Sequence, residues 1–432
     1  PKEVMNDIHI KSDLGRYRMR GFSLFKKIPT WDDLTFMPGT LTRFIIEGYR
    51  EKCLTKTIIG PNAKVPLELD IPVYITGMSF GALSYEAKTA LARGATMAGT
   101  ATCSGEGGMI PDERRYSSKW FYQCIQSRYG FNPNHLRLAD AIEFFIGQGC
   151  KVGLGGHLMG QKVTDQVAEM RSLPAGIDQR SPARHPDWLG PDDLALKIEE
   201  IREATDGQIP IQLKLGAARV YDDVRMAAKT GCDSIYIDGM EGGTGAGPHL
   251  ATEETGVPGI AAIRQARQAI EDVGMGGEIT LIYAGGIRNG GDVAKAIALE
   301  SNKPFALFGH SMGSLIAFEL AHQLRRAHNL SPSALFVSGG TSPSTRQSKT
   351  MIHKLSESDF SNKILAMNGI PKEVSSSPEL MSIFLPILRH DFTLCERHIY
   401  KKSPSLDCPI TVFGGLDDPN TNKNQLLSWQ QE

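Results

Sequence analysis

From Ile71 onward, short apolar runs alternate with longer stretches whose apolar residues recur every three or four positions. The runs Ile71–Thr76, Thr100–Ser104, Trp120–Ile125, Cys150–Leu154, Ile211–Leu215, Ser234–Asp238, Thr280–Ala284 and Phe305–Phe308 predict strands. Helical spacing predicts helices over Tyr85–Met97, Leu138–Gly147, Asp192–Ala204, Tyr221–Lys229, Gly259–Val273 and Asp292–Leu299. This alternation implies parallel β-structure. Eight strands with right-handed crossovers fit an α/β fold of the (β/α)8 barrel type. Residues 1–58 show no clean period and read as a lead-in, with Trp31, Phe36, Phe44 and Tyr49 available to pack against a neighbouring domain or subunit.

Several strands end in glycine-rich or polar turns: Gly77–Ser84, Ser104–Gly108, Gly153–His157, Gly239–Pro248 and Gly285–Gly286. One such turn serves backbone geometry. Several, each after its own strand, would meet at the C-terminal face of a barrel, where active sites are built. They suggest a large flat cofactor lying against the backbone. The run Ile279–Asp292 is the sharpest instance. A buried strand leads into Gly285-Gly286, and Asn289–Asp292 open the helix Asp292–Leu299. Free N–H groups at such a helix start hold an anion, usually phosphate.

Composition changes the picture in two ways. The chain has 432 residues, more than the ~250 a barrel needs, so a second region is expected. With 47 Lys+Arg against 48 Asp+Glu, neither nucleic acid nor an anionic membrane is expected as the main partner. No apolar run reaches ~18 residues, so no membrane-spanning helix is expected, and the start Pro1-Lys-Glu-Val-Met has no signal-peptide pattern. The seven cysteines are scattered without a C-x-x-C pair. That pattern points to reduced thiols in a cytoplasmic protein, with neither a zinc site nor a disulfide framework, and no metal is expected.

Residues 58–299 resemble the FMN-binding synthase domain of the glutamate synthase family. The resemblance rests on Met78-Ser-Phe-Gly-Ala-Leu-Ser84, Gly105-Glu-Gly-Gly108, Gln126-Ser-Arg-Tyr-Gly130 and Gly149-Cys-Lys-Val-Gly-Leu-Gly-Gly156. It continues through Ile211-Gln-Leu-Lys-Leu215, Asp238-Gly-Met-Glu-Gly-Gly-Thr-Gly-Ala-Gly247 and Gly285-Gly-Ile-Arg288. The run Gly216-Ala-Ala-Arg-Val-Tyr221 is closer to the shorter members, including the N-methylglutamate synthase type. The resemblance implies FMN in the barrel mouth, passing a hydride to an imine made from 2-oxoglutarate and ammonia or an amine. It implies that Met78 and Ser79 face the isoalloxazine, that Gly105, Glu106 and Gly107 lie along it, and that Gln126 and Arg128 bracket it. Lys214 would sit near N1 and O2, where positive charge stabilises the reduced ring. Asp238, Gly242 and Gly243 would form the substrate wall, and Gly285, Gly286 and Arg288 would hold the phosphate. Two features of the larger members have no counterpart: an amidotransferase domain with an N-terminal cysteine and the iron–sulfur cysteine cluster. Ammonia is therefore expected free or from an amidotransferase subunit, and electrons from a flavoprotein or ferredoxin-like subunit. A homo-oligomer is also open.

Residues 303–432 resemble the type II thioesterases of polyketide and non-ribosomal peptide synthesis. The matching runs are Pro304-Phe-Ala-Leu-Phe-Gly-His-Ser-Met-Gly313, Ala317-Phe-Glu-Leu-Ala321 and Leu335-Phe-Val-Ser-Gly339, then Pro378-Glu-Leu-Met381, Leu385-Pro-Ile-Leu-Arg389 and Cys408-Pro-Ile-Thr-Val-Phe-Gly414. Gly309-His-Ser-Met-Gly313 is a G-x-S-x-G elbow between strand and helix. It makes Ser311 the nucleophile and the nitrogen of Met312 one oxyanion donor. Asp417 matches the acid. The hydrolase is incomplete, because its first strands and the histidine that should follow the acid are missing. A serine without a positioned base is a weak nucleophile. The same run has the form of a barrel's eighth strand and phosphate turn. On that reading Phe305–Phe308 closes the barrel, Met312–Arg326 is the following helix, and Gly309, His310 and Ser311 join Gly285 and Gly286 around the phosphate.

Each residue also has a plainer role. Lys214 within a strand is hard to explain without function, because burying its charge is costly. Asp238 could instead cap the loop after its strand, and Arg128 could be a structural ion pair. His157 reads as a loop residue, and Cys103 and Cys150 as core thiols. Three functions stay open: an FMN oxidoreductase of glutamate synthase type, an acyl-thioester hydrolase short of its base, and a recombined chain without catalysis.

Overall fold

The computed structural model describes residues 2–36, 47–300, 306–328, 331–345, 351–367, 370, 372–401, 403–415, 418 and 422–432. Phe44 and Asp417 therefore lie outside the described residues. The chain divides into two compact units, Pro1–Asn302 and Lys303–Glu432.

The first unit is built on a parallel sheet of β1 (Thr102–Cys103), β2 (Trp120–Cys124), β3 (Ala141–Phe145), β4 (Ile211–Gly216), β5 (Ser234–Asp238) and β6 (Thr280–Ala284), in the spatial order β6-β5-β4-β3-β2-β1. Alternation along these strands separates two chemistries. Trp120, Tyr122, Ile142, Phe144, Ile211, Leu213, Ile235 and Ile237 face outward and pack on Leu194 and Ile198 of helix Pro191–Ala204, Val224 of helix Val220–Ala228, and Ala262, Ala266 and Ile270 of helix Gly259–Asp272. Each fully buried large apolar side chain contributes about 1.5–3 kcal/mol.

The other face turns into the barrel and carries polar residues in register. Gln123 pairs with Glu143, Glu143 with Gln212, and Gln212 with Ser234 across neighbouring strands. The Glu143 carboxylate accepts from Gln123 Nε2 (2.6 Å) and Gln212 Nε2 (2.5 Å), and Gln212 Nε2 also donates to Tyr74 Oη (3.1 Å). A buried polar network of this kind is tolerable because its members are partnered. Below it, the hairpin Thr57–Ile59/Leu67–Leu69 closes the N-terminal end by packing Ile59, Leu67 and Leu69 on Ala101, Cys103, Phe121 and Ala141. At the C-terminal end, Met19–Phe22 pairs antiparallel with Thr244–Pro248.

Four expectations need correction. Leu138–Gly147 is not a helix: a short helix, Pro133–Leu138, leads into β3. Cys150–Leu154 is not a strand but contains the 3-10 turn Gly149–Lys151. Residues 71–76 form no regular strand, although Ile75 N–H donates to Ala101 O (2.9 Å) and the Tyr74 ring stacks on Phe121 at 5.0 Å. This segment flanks β1 as a first barrel strand would. Finally, Phe308 does not close the barrel, and Phe305 lies outside the described residues. The strand Ala306–His310 pairs with a strand of the second unit, and among the described residues β6 has a ladder partner only in β5.

The second unit contains β7 (Ala306–His310), β8 (Ala334–Ser338) and β9 (Ile410–Phe413), parallel in that order. Its core joins Ala317 and Phe318 of helix Met312–His328 to Leu335, Val337 and Trp429, whose Nε1 donates to Gly340 O (2.8 Å). Between β8 and β9 the unit also carries helices Glu357–Ala366, Lys372–Ser375 and Pro378–Arg397. This is an incomplete α/β-hydrolase-like segment.

Candidate functional site

A cavity of about 1110 Å3 occupies the barrel. It reaches from the turns after the strands down to Ile59 and Leu69, and its wall includes both β6 and residues 72–74. That reach follows from the strand order, since nothing among the described residues pairs with the outer edge of β6.

Lys214 and Asp238 stand at the mouth, both buried, because their strands deliver alternate residues inward. Lys214 Nζ donates to Thr76 Oγ1 (3.2 Å) and lies 3.8 Å from Asp238 Oδ2 and 4.5 Å from the centre of the Tyr236 ring. Burial alone would push its ammonium down, but Tyr236, Asp238 and Glu143 outweigh that and hold it above the ordinary lysine range. Burial pushes the Asp238 carboxyl up, against the opposing pull of Lys214 and of the Gly149 N–H. The site thus sets a buried positive charge beside a buried carboxyl group.

Met78, Ser79, Glu106, Gly242, Gly243, Gly285 and Gly286 also line this cavity. Gly105 packs under the Met78–Ser79 backbone. Gly107 sits against the Arg171 side chain, where a Cβ would lie 2.6 Å from Nε. At Gly285 the backbone has φ +123°, and a Cβ there would stand 2.7 Å from Tyr283 Oη, so no other residue fits without displacement. The Glu106 carboxylate accepts from Tyr129 Oη (2.9 Å) and from the Ser181 hydroxyl. Buried Lys88 ties the adjoining turns together, donating to Met78 O (2.8 Å), Cys103 O (3.2 Å) and Ser104 O (2.9 Å) while pairing with Glu113 (2.6 Å). Burial pushes the Glu113 carboxyl up to about 7, against the pull of Lys88.

Gly105 and Gly107 flank Glu106 without lining the cavity themselves, and three further expected residues stand apart from this wall. Gln126 is buried, donates to Ile146 O (3.2 Å) and leaves its Oε1 without a partner. Arg128 is held by Asp187 (2.7 and 3.0 Å), Ile125 O and His185 Nδ1, as an ion pair rather than a bracket. Arg288 grips Asp32 through both terminal nitrogens (2.9 and 2.6 Å) and Asp292 through Nε (3.1 Å), not a ligand space.

Sequence reasoning missed others. Lys151 lines the cavity, almost fully buried, with Nζ donating to Ala246 O (2.8 Å). Burial holds its ammonium below the ordinary range. His157, read as a loop residue, is also in the wall, with its pKa lowered first by burial and then by Lys151 and Arg180. Glu241 accepts from Gly259 N–H (2.9 and 3.1 Å), and burial raises its pKa. The rule that singled out Lys214, a lysine set among apolar residues, applied equally to Lys151. Cys103 and Cys150 are buried thiols raised by burial, the latter to about 12, as core thiols should be.

The second unit carries one further constellation. Ser311 lies between β7 and helix Met312–His328 with φ +53°, a left-handed conformation unusual for a residue with a Cβ. Its N–H donates to Ser338 O (2.7 Å), and His310 Nδ1 sits 3.1 Å from Ser338 Oγ. His398 is engaged with Glu319 (2.9 Å) and His353 with Glu396 (2.5 Å). Among the described residues, no histidine hydrogen-bonds the Ser311 hydroxyl. Gly309 and His310 belong to this elbow and its sheet and not, as expected, to an eighth barrel strand. Among the described residues no His/Cys/Asp/Glu cluster could hold a metal, and no helix is long and apolar enough to cross a membrane.

Fold and site together define an α/β barrel with a ligand cavity at its C-terminal face, followed by an incomplete hydrolase unit. Residues 37–321 match the conserved region in glutamate synthase, and the chain belongs to the glutamate synthase family. Residues 293–432 match the thioesterase domain. The chain is 54% identical over 297 residues to a glutamate synthase large subunit-like protein of Rhizobium meliloti (strain 1021), covering 68% of this chain and 67% of that protein. It is 39% identical over 245 residues to the archaeal-type glutamate synthase [NADPH] of Thermotoga sp. (strain RQ2), covering 56% of this chain and 48% of that protein. Its C-terminal part is 41% identical over 140 residues to the gramicidin S biosynthesis protein GrsT of Aneurinibacillus migulanus, covering 32% of this chain and 55% of that protein. The chain therefore spans about two thirds of the first relative and about half of each of the other two.

Proposed function

We propose that the barrel unit binds FMN and reduces an imine, formed from 2-oxoglutarate and ammonia or an amine, to an amino acid of the glutamate class. The observation that carries this is the Lys214–Asp238 pair, buried at the mouth of a cavity walled by the glycine turns of several strands. The residues present fit the cofactor. The cavity is large, and Gly242, Gly243, Gly285 and Gly286 bare their backbone to it. When bound, FMN supplies hydride transfer.

The chain's own residues do the rest. Met78, Ser79 and the Gly105–Gly107 turn would hold the ring. Lys214 would supply the positive charge that stabilises a reduced ring. The N–H groups after Gly285 and at the start of helix Gly290–Glu300 that are not used within the turn would hold the phosphate, since Arg288 is spent on Asp32 and Asp292. Lys151 and His157 supply positive or polar contacts for the carboxylates of the substrate. Asp238, whose pKa is raised by burial, is positioned to hold or move a proton. Ammonia reaches this unit free or from an amidotransferase subunit, and electrons come from a separate donor subunit. An absorbance spectrum of the purified protein, with released flavin identified by mass, tests this reading. Stoichiometric FMN supports it. No flavin after adding FMN means that the turns do not meet at one face, and the reading falls.

A second reading belongs to the C-terminal unit: acyl-thioester hydrolysis with Ser311 as nucleophile and Asp417 as acid. The left-handed Ser311 between strand and helix favours it. Covalent labelling of Ser311 by a fluorophosphonate supports this reading, and an unlabelled Ser311 removes it.

A further inference from the structure

A second, smaller cavity of about 330 Å3 lies in the first unit. Arg128, Tyr129, Asn132, His135, Arg171 and Ser172 are among its lining residues. Its charge is unbalanced. Arg128 is neutralised by its bidentate pair with Asp187 (2.7 and 3.0 Å). Arg171 is 1% exposed, and its guanidinium meets only neutral acceptors: Phe80 O (3.0 Å), Glu106 O (3.2 Å), Gln179 Oε1 (3.1 Å) and Tyr129 Oη (3.5 Å). Among the described residues it has no carboxylate within 4.0 Å. Its Nε has no partner at all, and neither does Nδ1 of His135 in the same wall. A buried cation without a counter-ion is costly, and buried donors are almost always satisfied. The φ of Arg128, +59°, adds strain to the loop that forms one side of the cavity.

We propose that this cavity binds a small oxyanion of phosphate or carboxylate type, with Arg171 supplying the charge and His135 a further ring nitrogen. The volume suits such an ion with some of its water, since a water takes ~30 Å3. The site is separate from the main cavity, and its occupancy does not depend on flavin or on the proposed imine reduction. The two cavities share one loop, however. Arg171 donates to the Glu106 carbonyl and to Tyr129, whose hydroxyl donates to the Glu106 carboxylate in the main wall (2.9 Å).

The test uses inorganic phosphate as probe on the full chain, by calorimetric titration in excess FMN so that the flavin phosphate site is not counted, and selenate in crystals as an anomalous scatterer. The expected result is one phosphate per chain and a selenate peak beside Arg171. Arg171→Met should weaken phosphate about 10-fold or more, and His135→Leu should weaken it several-fold. Lys214→Met, in the other cavity, should leave phosphate binding unchanged. His135→Leu keeps the test decisive if Arg171→Met does not fold. No heat up to about 10 mM phosphate, equal binding by wild type and His135→Leu, or a selenate peak confined to the main cavity would each overturn the proposal.

Discussion

The barrel unit spreads its site over the ends of many strands, whereas the C-terminal unit concentrates its chemistry in one turn. Lys214, Asp238, Glu106 and the Gly285 turn come from different strands and meet because the strands of one parallel sheet all end on the same side. Their support is internal: Glu143, Gln123 and Gln212 line the inner face of the sheet beneath them with a partnered hydrogen-bond network. Ser311 is also well presented by its elbow, but among the described residues no base reaches it. A nucleophile elbow carries over as a local motif. A catalytic triad does not, because its partners come from distant parts of the chain.

Substitutions that strike one unit and spare the other sharpen this contrast. The largest effect should follow Glu143→Ala, which strands the Gln123 and Gln212 amides inside the barrel. The loss should be about 3–5 kcal/mol in denaturant unfolding, and Glu143→Gln should cost much less. Next comes the pH response of His185. Burial pulls its pKa down to about 4, and its ring sits between Phe145 O (2.9 Å) and Arg128 (2.8 Å). The native state therefore prefers the neutral ring. The resulting stability is present above the unfolded value of ~6.5 and is lost as pH falls towards 4, by about 3 kcal/mol. Denaturant midpoints measured across that window should show the fall in the wild type and a shallower one in His185→Gln. Lys214→Met should weaken FMN about 10- to 100-fold in a fluorescence titration, by removing a charged hydrogen-bond donor. The smallest effect is Ser311→Ala, which should abolish fluorophosphonate labelling while leaving FMN binding unchanged. A flavin loss there would break the contrast between the units.

Much of the barrel was legible in the sequence. Ile211–Leu215, Ser234–Asp238 and Thr280–Ala284 are apolar, β-prone runs bounded by polar turns, and they fold as read, the first extending one residue to Gly216. Tyr85–Met97 begins at a serine cap, Ser84, whose hydroxyl accepts from Ala87 N–H, and its span was legible too. Leu138–Gly147 misled because Leu138, Ala141, Ile142 and Phe145 match helical spacing, and a run of five strand residues is too short for periodicity to decide. Pro133 after Asn132 was the signal for the real helix, which stops at Leu138. The inward Gln123–Glu143–Gln212 layer was hidden, because polar residues alternating with apolar ones look like a solvent face. In the site, Lys214, Asp238 and the glycine turns were readable from residue type and place. The ion pairs that hold Arg128 and Arg288 were not, since Asp187 and Asp32 are 59 and 256 positions away.

The most direct measurement is a crystal structure of the full chain with FMN. The account predicts the isoalloxazine in the barrel cavity, against Met78 and the Gly105–Gly107 turn, with Lys214 within hydrogen-bond distance of the ring. FMN bound elsewhere, or a barrel cavity that stays empty of flavin at saturating FMN, would contradict it.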